Sequence, residues 1–162
     1  MTLTGIEPVV REIITELKAH LPTELLVLED VGGNHVELPA PETAAYFWYV
    51  PLLFASWPAI IARPQPQAAA VIEMTGQYRM SYSVQVDVIT RHEDIAATDV
   101  ALWRYWLAIS QILTKEDALA SGSCVLSGID WSQPIIVDQD SGDELRDVPG
   151  IFTVTTYEGA DA

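Results

Sequence analysis

The chain has 162 residues, enough for one domain to bury roughly 70% of its unfolded surface around a single core. Aspartate and glutamate outnumber lysine and arginine by 23 to 8, and the formal charge of -15 repels phosphate backbones and anionic membranes, which excludes tight nucleic-acid binding. Apolar residues make up 49% and charged residues 19%, so polar surface is thin and apolar surface is left for partners, an arrangement that favours an oligomer.

Cys124 is the single cysteine, so no intramolecular disulfide is expected and nothing marks the chain as secreted. Folding in the cytoplasm is the expectation. Glu7, Arg11, Glu12 and Glu16 interrupt the first apolar run, so no signal peptide is expected. The stretch from Ala44 to Ala62 approaches membrane-spanning length, but Pro51 and Pro58 break it, and it reads as a buried or interface segment.

In chain order, Ile6, Val9, Val10, Ile13, Ile14, Leu17 and Leu21 recur at helical spacing and predict an amphipathic helix over 5–20. Thr4 is its candidate cap, with Glu7 completing a capping-box pattern, and Pro22 marks its expected end. Leu25 to Leu28 has the length of a short strand, stopped by Gly32-Gly33-Asn34. Residues 31–68 form an expected insertion, dense in proline (Pro39, Pro41, Pro51, Pro58, Pro64, Pro66) and in aromatics (Tyr46, Phe47, Trp48, Tyr49, Phe54, Trp57). Such a segment either folds over the domain or packs on a neighbouring subunit, and the sequence leaves both open.

From Ala69 the period becomes two. Met80, Tyr82, Val84, Val86 and Val88 alternate with Ser81, Ser83, Gln85 and Asp87, and Gly76-Gln77 lies before them, which predicts an antiparallel hairpin whose second strand covers about 78–90. A second helix follows, capped by Asp94 or Thr98. Ile95, Leu102, Trp106, Ile109 and Leu113 give its core stripe, and Val100, Trp103 and Leu107 widen it enough to suggest contact on two sides. Lys115 to Gly122 is a polar connector. Cys124 to Trp131, Pro134 to Asp138 and Val148 to Tyr157 read as strands. The fold class is therefore α+β, a single domain with a mainly antiparallel sheet and two main helices packed on one face.

Motifs for chemistry are missing from the sequence. It contains no nucleophile elbow and no glycine-rich phosphate loop, and His20, His35 and His92 form no metal-ligand spacing. Cys124 falls inside an expected strand as a buried thiol. The cluster Asp138, Asp140, Asp143, Glu144 and Asp147 around Ser141-Gly142 raises cation binding, but counted from Asp138 the glycine is fifth and Pro149 twelfth, which fails the EF-hand pattern. The favoured reading is an exposed turn between two strands, where aspartate and glycine are the residues that turns need. Trp48, Trp57, Trp103, Trp106 and Trp131 lack the basic groove that base stacking requires, and core or interface packing accounts for them. No cofactor and no metal is expected.

One ordering stands out: "YRMSYSVQVDVITRHED" at 78–94, "ATDVALWRYWLAISQIL" at 97–113, and "SGIDWSQPIIVDQDSGDELRDVPGIFTVTTYEG" at 127–159, behind an amphipathic first helix. It resembles the small neck proteins of long-tailed bacteriophages, the tail terminators and related tail-completion proteins, over about residues 69–158. The resemblance implies a non-enzymatic virion protein: a homohexameric ring that caps the tail tube, contacts the tail-tube protein and the head-to-tail connector or stopper, and lets DNA pass without holding it. Tyr46, Phe47, Trp48, Phe54, Trp57, Trp103 and Leu107 are the candidate subunit-interface residues, and Asp138, Asp140, Asp143 and Glu144 the candidate acidic bore loop. A stopper or adaptor of the connector, a cation-dependent hydrolase built on the 138–147 loop, and a small-ligand module using the tryptophans are the competing readings.

Overall fold

A computed structural model describes residues 5–72, 77–91, 95–115, 119, 124–138 and 145–159. The elements are α1 (Ile6–Leu28), β1 (Tyr46–Phe47), β2 (Ala59–Ile72), β3 (Gln77–Arg91), α2 (Ile95–Thr114), β4 (Cys124–Trp131), β5 (Ile135–Asp138) and β6 (Leu145–Gly159). The sheet runs β1-β2-β3-β6-β4, with β5 added to the end of β6. All its pairings are antiparallel except β1 with β2. This is the expected α+β architecture. Among the described residues no helix is long and apolar enough to cross a membrane.

The long strand predicted after Gly76 is the centre of the sheet. β3 pairs along its whole length with β6, from Gln77 opposite Gly159 to Arg91 opposite Leu145, and on its other side with β2. Its alternation has the expected consequence: Tyr82, Val84, Val86 and Val88 join Val148, Phe152 and Val154 of β6 in one apolar core with α1 and α2. Both helices therefore cover the same face.

Two boundaries differ from the sequence reading, and proline is the reason in each. The first helix does not stop before Pro22 but continues to Leu28, so Leu25 to Leu28 is helix and not strand. Leu25 and Leu28 are buried while Leu26 and Val27 are exposed, which is helical spacing. A proline in a helix interior costs about 3 kcal/mol. Full burial of Leu21, Leu25 and Leu28 returns about 1.5–3 kcal/mol per side chain, so the continued stripe outweighs the missing amide. His20 consequently sits inside the helix, 3.4 Å from Glu16. Thr4 and Asp94, the expected caps, lie outside the described residues, and Thr98 is inside α2.

The second difference is the insertion, which ends at Pro58 and not at residue 68. β2 begins at Ala59 and carries Pro64 and Pro66 within it. Among the described residues, β1 pairs β2 only at Ile60 and Ile61, so beyond Ala62 this edge needs no amide donors and tolerates proline. The register with β3 shifts between Pro64 and Ala68.

At the opposite edge β4 is held by an aromatic stack. The Trp131 ring lies 5.7 Å from Trp106 and 5.4 Å, edge to face, from Phe152, and its Nε1 donates to Ser110 Oγ at 2.8 Å. This ring covers Gly150, where a Cβ would fall 2.5 Å from two ring carbons. Gly150→Ala is expected to displace the indole and destabilise the fold by about 1–3 kcal/mol, read by urea unfolding together with a change in tryptophan emission.

Candidate assembly surface

The surface begins with the way the insertion is anchored. α2 projects a buried arginine, Arg104, at the last turn of α1. Its Nη1 donates to Leu28 O at 3.1 Å and to Glu29 O, and its Nη2 donates to Val31 O at 2.9 Å and Asn34 O at 2.7 Å. Carbonyls at a helix C-terminus lack intrahelical partners and carry partial negative charge, which a guanidinium satisfies in both respects. Val31–Gly33 then turns the chain, with Gly32 at φ 75 and Gly33 at φ 73, a left-handed conformation that suits glycine. Further along, the Tyr105 hydroxyl donates to Pro39 O. Burial pushes the Tyr105 phenol above its ordinary value.

Beyond these anchors the aromatic segment divides. Tyr46 sits in the core of its own subunit, with Lys18 Nζ 6.0 Å from its ring centre, and burial raises its hydroxyl to about 12. Phe47, Phe54 and Trp57 are half-buried and pack in sequence: Phe47 is 5.8 Å from Phe54, and Phe54 is 4.9 Å from Trp57. Trp48 turns outward over α1, where the Arg11 guanidinium lies 4.1 Å above its ring. Tyr49 and Val50 are exposed, Leu52 is wholly exposed at 101%, and Leu53 is 86% exposed. On α2, Trp103 and Leu107 stand one helical turn apart at the surface. On the last turn of α1 the neighbouring Leu26 and Val27 are also exposed.

Of the candidate interface residues, then, Trp48, Trp103 and Leu107 reach the surface, Phe47, Phe54 and Trp57 form a half-buried base beneath it, and Tyr46 belongs to the subunit core. Leu52 and Leu53 were not singled out by sequence, although they lie in the apolar stretch 44–62 and follow Pro51, where no periodicity assigns an inward side. Asp140, Asp143 and Glu144 lie outside the described residues. Asp138 ends β5, and nothing of its side chain is described; the same holds for Cys124 at the start of β4.

An open cleft separates the insertion from α2, lined by His35, Glu37, Trp57, Arg91, Thr98 and Tyr105 among others. Among the described lining residues the one carboxylate is Glu37, and the one imidazole, His35, is taken by Asp30 at 2.8 Å, a hydrogen bond that raises the histidine pKa. Among the described residues no group of His, Cys, Asp and Glu is placed to hold a metal ion.

No protein-family model matches the chain, and no curated protein sequence matches it. Among solved structures, a chain of the virion of a native gene transfer agent (GTA) particle overlaps it with a TM-score of 0.49 and 18% identity, covering 87% of this chain and 94% of that chain.

Because Arg104 serves several carbonyls at once, Arg104→Met is expected to lower stability by about 3 kcal/mol or more in urea unfolding. Arg104→Lys should recover only part of that loss, since an ammonium lacks the planar fork that reaches both sides.

Proposed function

We propose that the chain is a structural subunit of a phage-type neck: a tail terminator that closes into a hexameric ring, caps the tail tube and meets the head-side connector. The observation that carries this reading is the outward apolar run from Trp48 to Leu53, in which Leu52 and Leu53 gain nothing from their own subunit. Large apolar side chains grouped at the surface mark protein contacts.

A ring requires heterologous contacts, in which one patch meets a different patch on the next copy. The subunit offers suitable pieces at separate places. Trp48 lies against Arg11, whereas Trp103 and Leu107 flank Arg104, which grips the other end of α1 at Leu28. The two ends are about 25 Å apart along the helix axis at 1.5 Å per residue. The order of a long alternating strand, a helix and a closing strand supports the same reading, because it is the order on which the resemblance to tail terminators rests. The net charge of -15 suits a bore that DNA crosses without adhering.

Native mass spectrometry and electron microscopy of the purified protein test the proposal, alone and with tail-tube protein added. Rings are expected, and a species that stays monomeric at high concentration in both conditions would overturn it. Replacing Leu52 and Leu53 together by aspartate should weaken assembly by more than a hundredfold, since each buried leucine contributes about 1.5–3 kcal/mol. The thermal midpoint of the isolated subunit should stay close to wild type, because neither side chain packs within it.

A further inference from the structure

The sheet face away from the helices contains a second buried layer. Ile61 of β2, Asp87 and Ile89 of β3 and Asp147 of β6 are all buried there, outside the apolar core cluster. Asp87 is 2% exposed and Asp147 6%. The β3–β6 register puts Asp147 opposite Ile89 and Asp87 opposite Pro149, so the two aspartates are diagonal neighbours across the seam. Diagonal side chains on one sheet face are within reach of each other, and each carboxyl bears on the other's protonation.

The surroundings of the two groups are unequal. Arg63 Nε lies 3.2 Å from Asp87 Oδ2, and Gln85 Nε2 donates to Asp87 Oδ1 at 2.5 Å; Gln65 in turn donates to Gln85. Asp147 Oδ1 is buried with no hydrogen-bond partner among the described residues. Among the described residues, the charged groups on this face near the pair are Arg63 from β2, Arg91 at the exposed end of β3, and Asp130 on β4, also exposed. One guanidinium among the described residues, that of Arg63, lies within ion-pair distance of this buried pair. Two carboxylates placed side by side cannot both stay charged without cost, so a shared proton relieves them.

We infer that Asp87 and Asp147 hold one proton between them in the folded chain at neutral pH, carried on Asp147 and donated to the Asp87 carboxylate, and that its release loosens the β3–β6 seam. Burial, then the Asp87 charge, pushes the Asp147 carboxyl up to about 8. Burial raises Asp87 as well, opposed by Gln85 and Arg63. An acid whose folded value is raised keeps a proton that the unfolded chain has already released. Stability contributed by this proton is present at low pH and is lost as pH rises from the ordinary aspartate range to about 8. The device is therefore a latch that opens on the alkaline side.

Thermal unfolding of the full chain between about pH 4 and about pH 9 tests it, with Asp147→Asn and Asp130→Asn as variants. The asparagine at 147 is an uncharged donor of the same shape. It should flatten the decline in thermal midpoint seen in wild type and exceed wild type at the alkaline end. Asp130→Asn removes an exposed charge from the same face and should leave the wild-type slope in place. Parallel profiles for wild type and Asp147→Asn would overturn the inference. So would a rise in the wild-type midpoint on adding calcium or magnesium that Asp147→Asn lacks, since the pair would then be a cation site. Should the 147 variant fail to fold, carboxyl-carbon NMR of wild type decides. One aspartate carboxyl still protonated near neutral pH is the expected result, and titration of every aspartate in the ordinary range is the contrary one.

Discussion

The guanidinium of Arg104 fixes the geometry on which the remaining surface depends. An arginine in a strongly acidic chain has many carboxylates available, yet this one is directed at backbone carbonyls of Leu28, Glu29, Val31 and Asn34. Its position sets the end of α1, the angle at which the chain leaves that helix, and the seat of α2 against both. The path to β1, and so the place where the aromatic segment emerges, follows from that contact. Lys115 of the helix-2 end and Glu24 of α1, 3.2 Å apart, add a weaker exposed tie between the same helices.

What could be read from the residues alone was mostly what repeats. The two-residue alternation of β3 and β6 gave strand, the hairpin gave β2 as a partner of β3, and the widened stripe of α2 anticipated a helix with Trp103 and Leu107 left over at the surface. The pairing of β3 with β6 was not legible. Proline misled the reading where burial or an open edge changes its effect. At Pro22 three buried leucines outweigh the lost hydrogen bond, and at Pro64 and Pro66 no strand among the described residues pairs β2 on the side away from β3. Arg104 was illegible for a different reason: the carbonyls it satisfies are about 70 residues earlier, and beside Trp103 it has the pattern of a solvated position.

The same limit applies to Asp87. In the run from Val84 to Val88 it occupies the alternate position that normally faces water, but here both faces of the sheet are buried at this level, and Ile61 and Ile89 lie beside it. The helix face is mainly apolar, which makes it tolerant in detail and strong in sum. The other face is held by a small number of polar contacts whose geometry is exacting. Within the aromatic segment the division was also set by packing and not by composition: Tyr46 and Leu52 belong to one apolar stretch, yet one is core and the other is bare.

The prolines of β2 bear on the proposed ring, in which one copy of the chain would meet the next. A free sheet border is a template on which further chains can zip, and zipping has no natural stopping point. Along this border two amide donors are missing near the middle, at positions 64 and 66, where the ladder register is also interrupted. In the proposed ring this border would be a poor seat for open-ended growth, leaving association to side-chain patches whose angles can close on themselves.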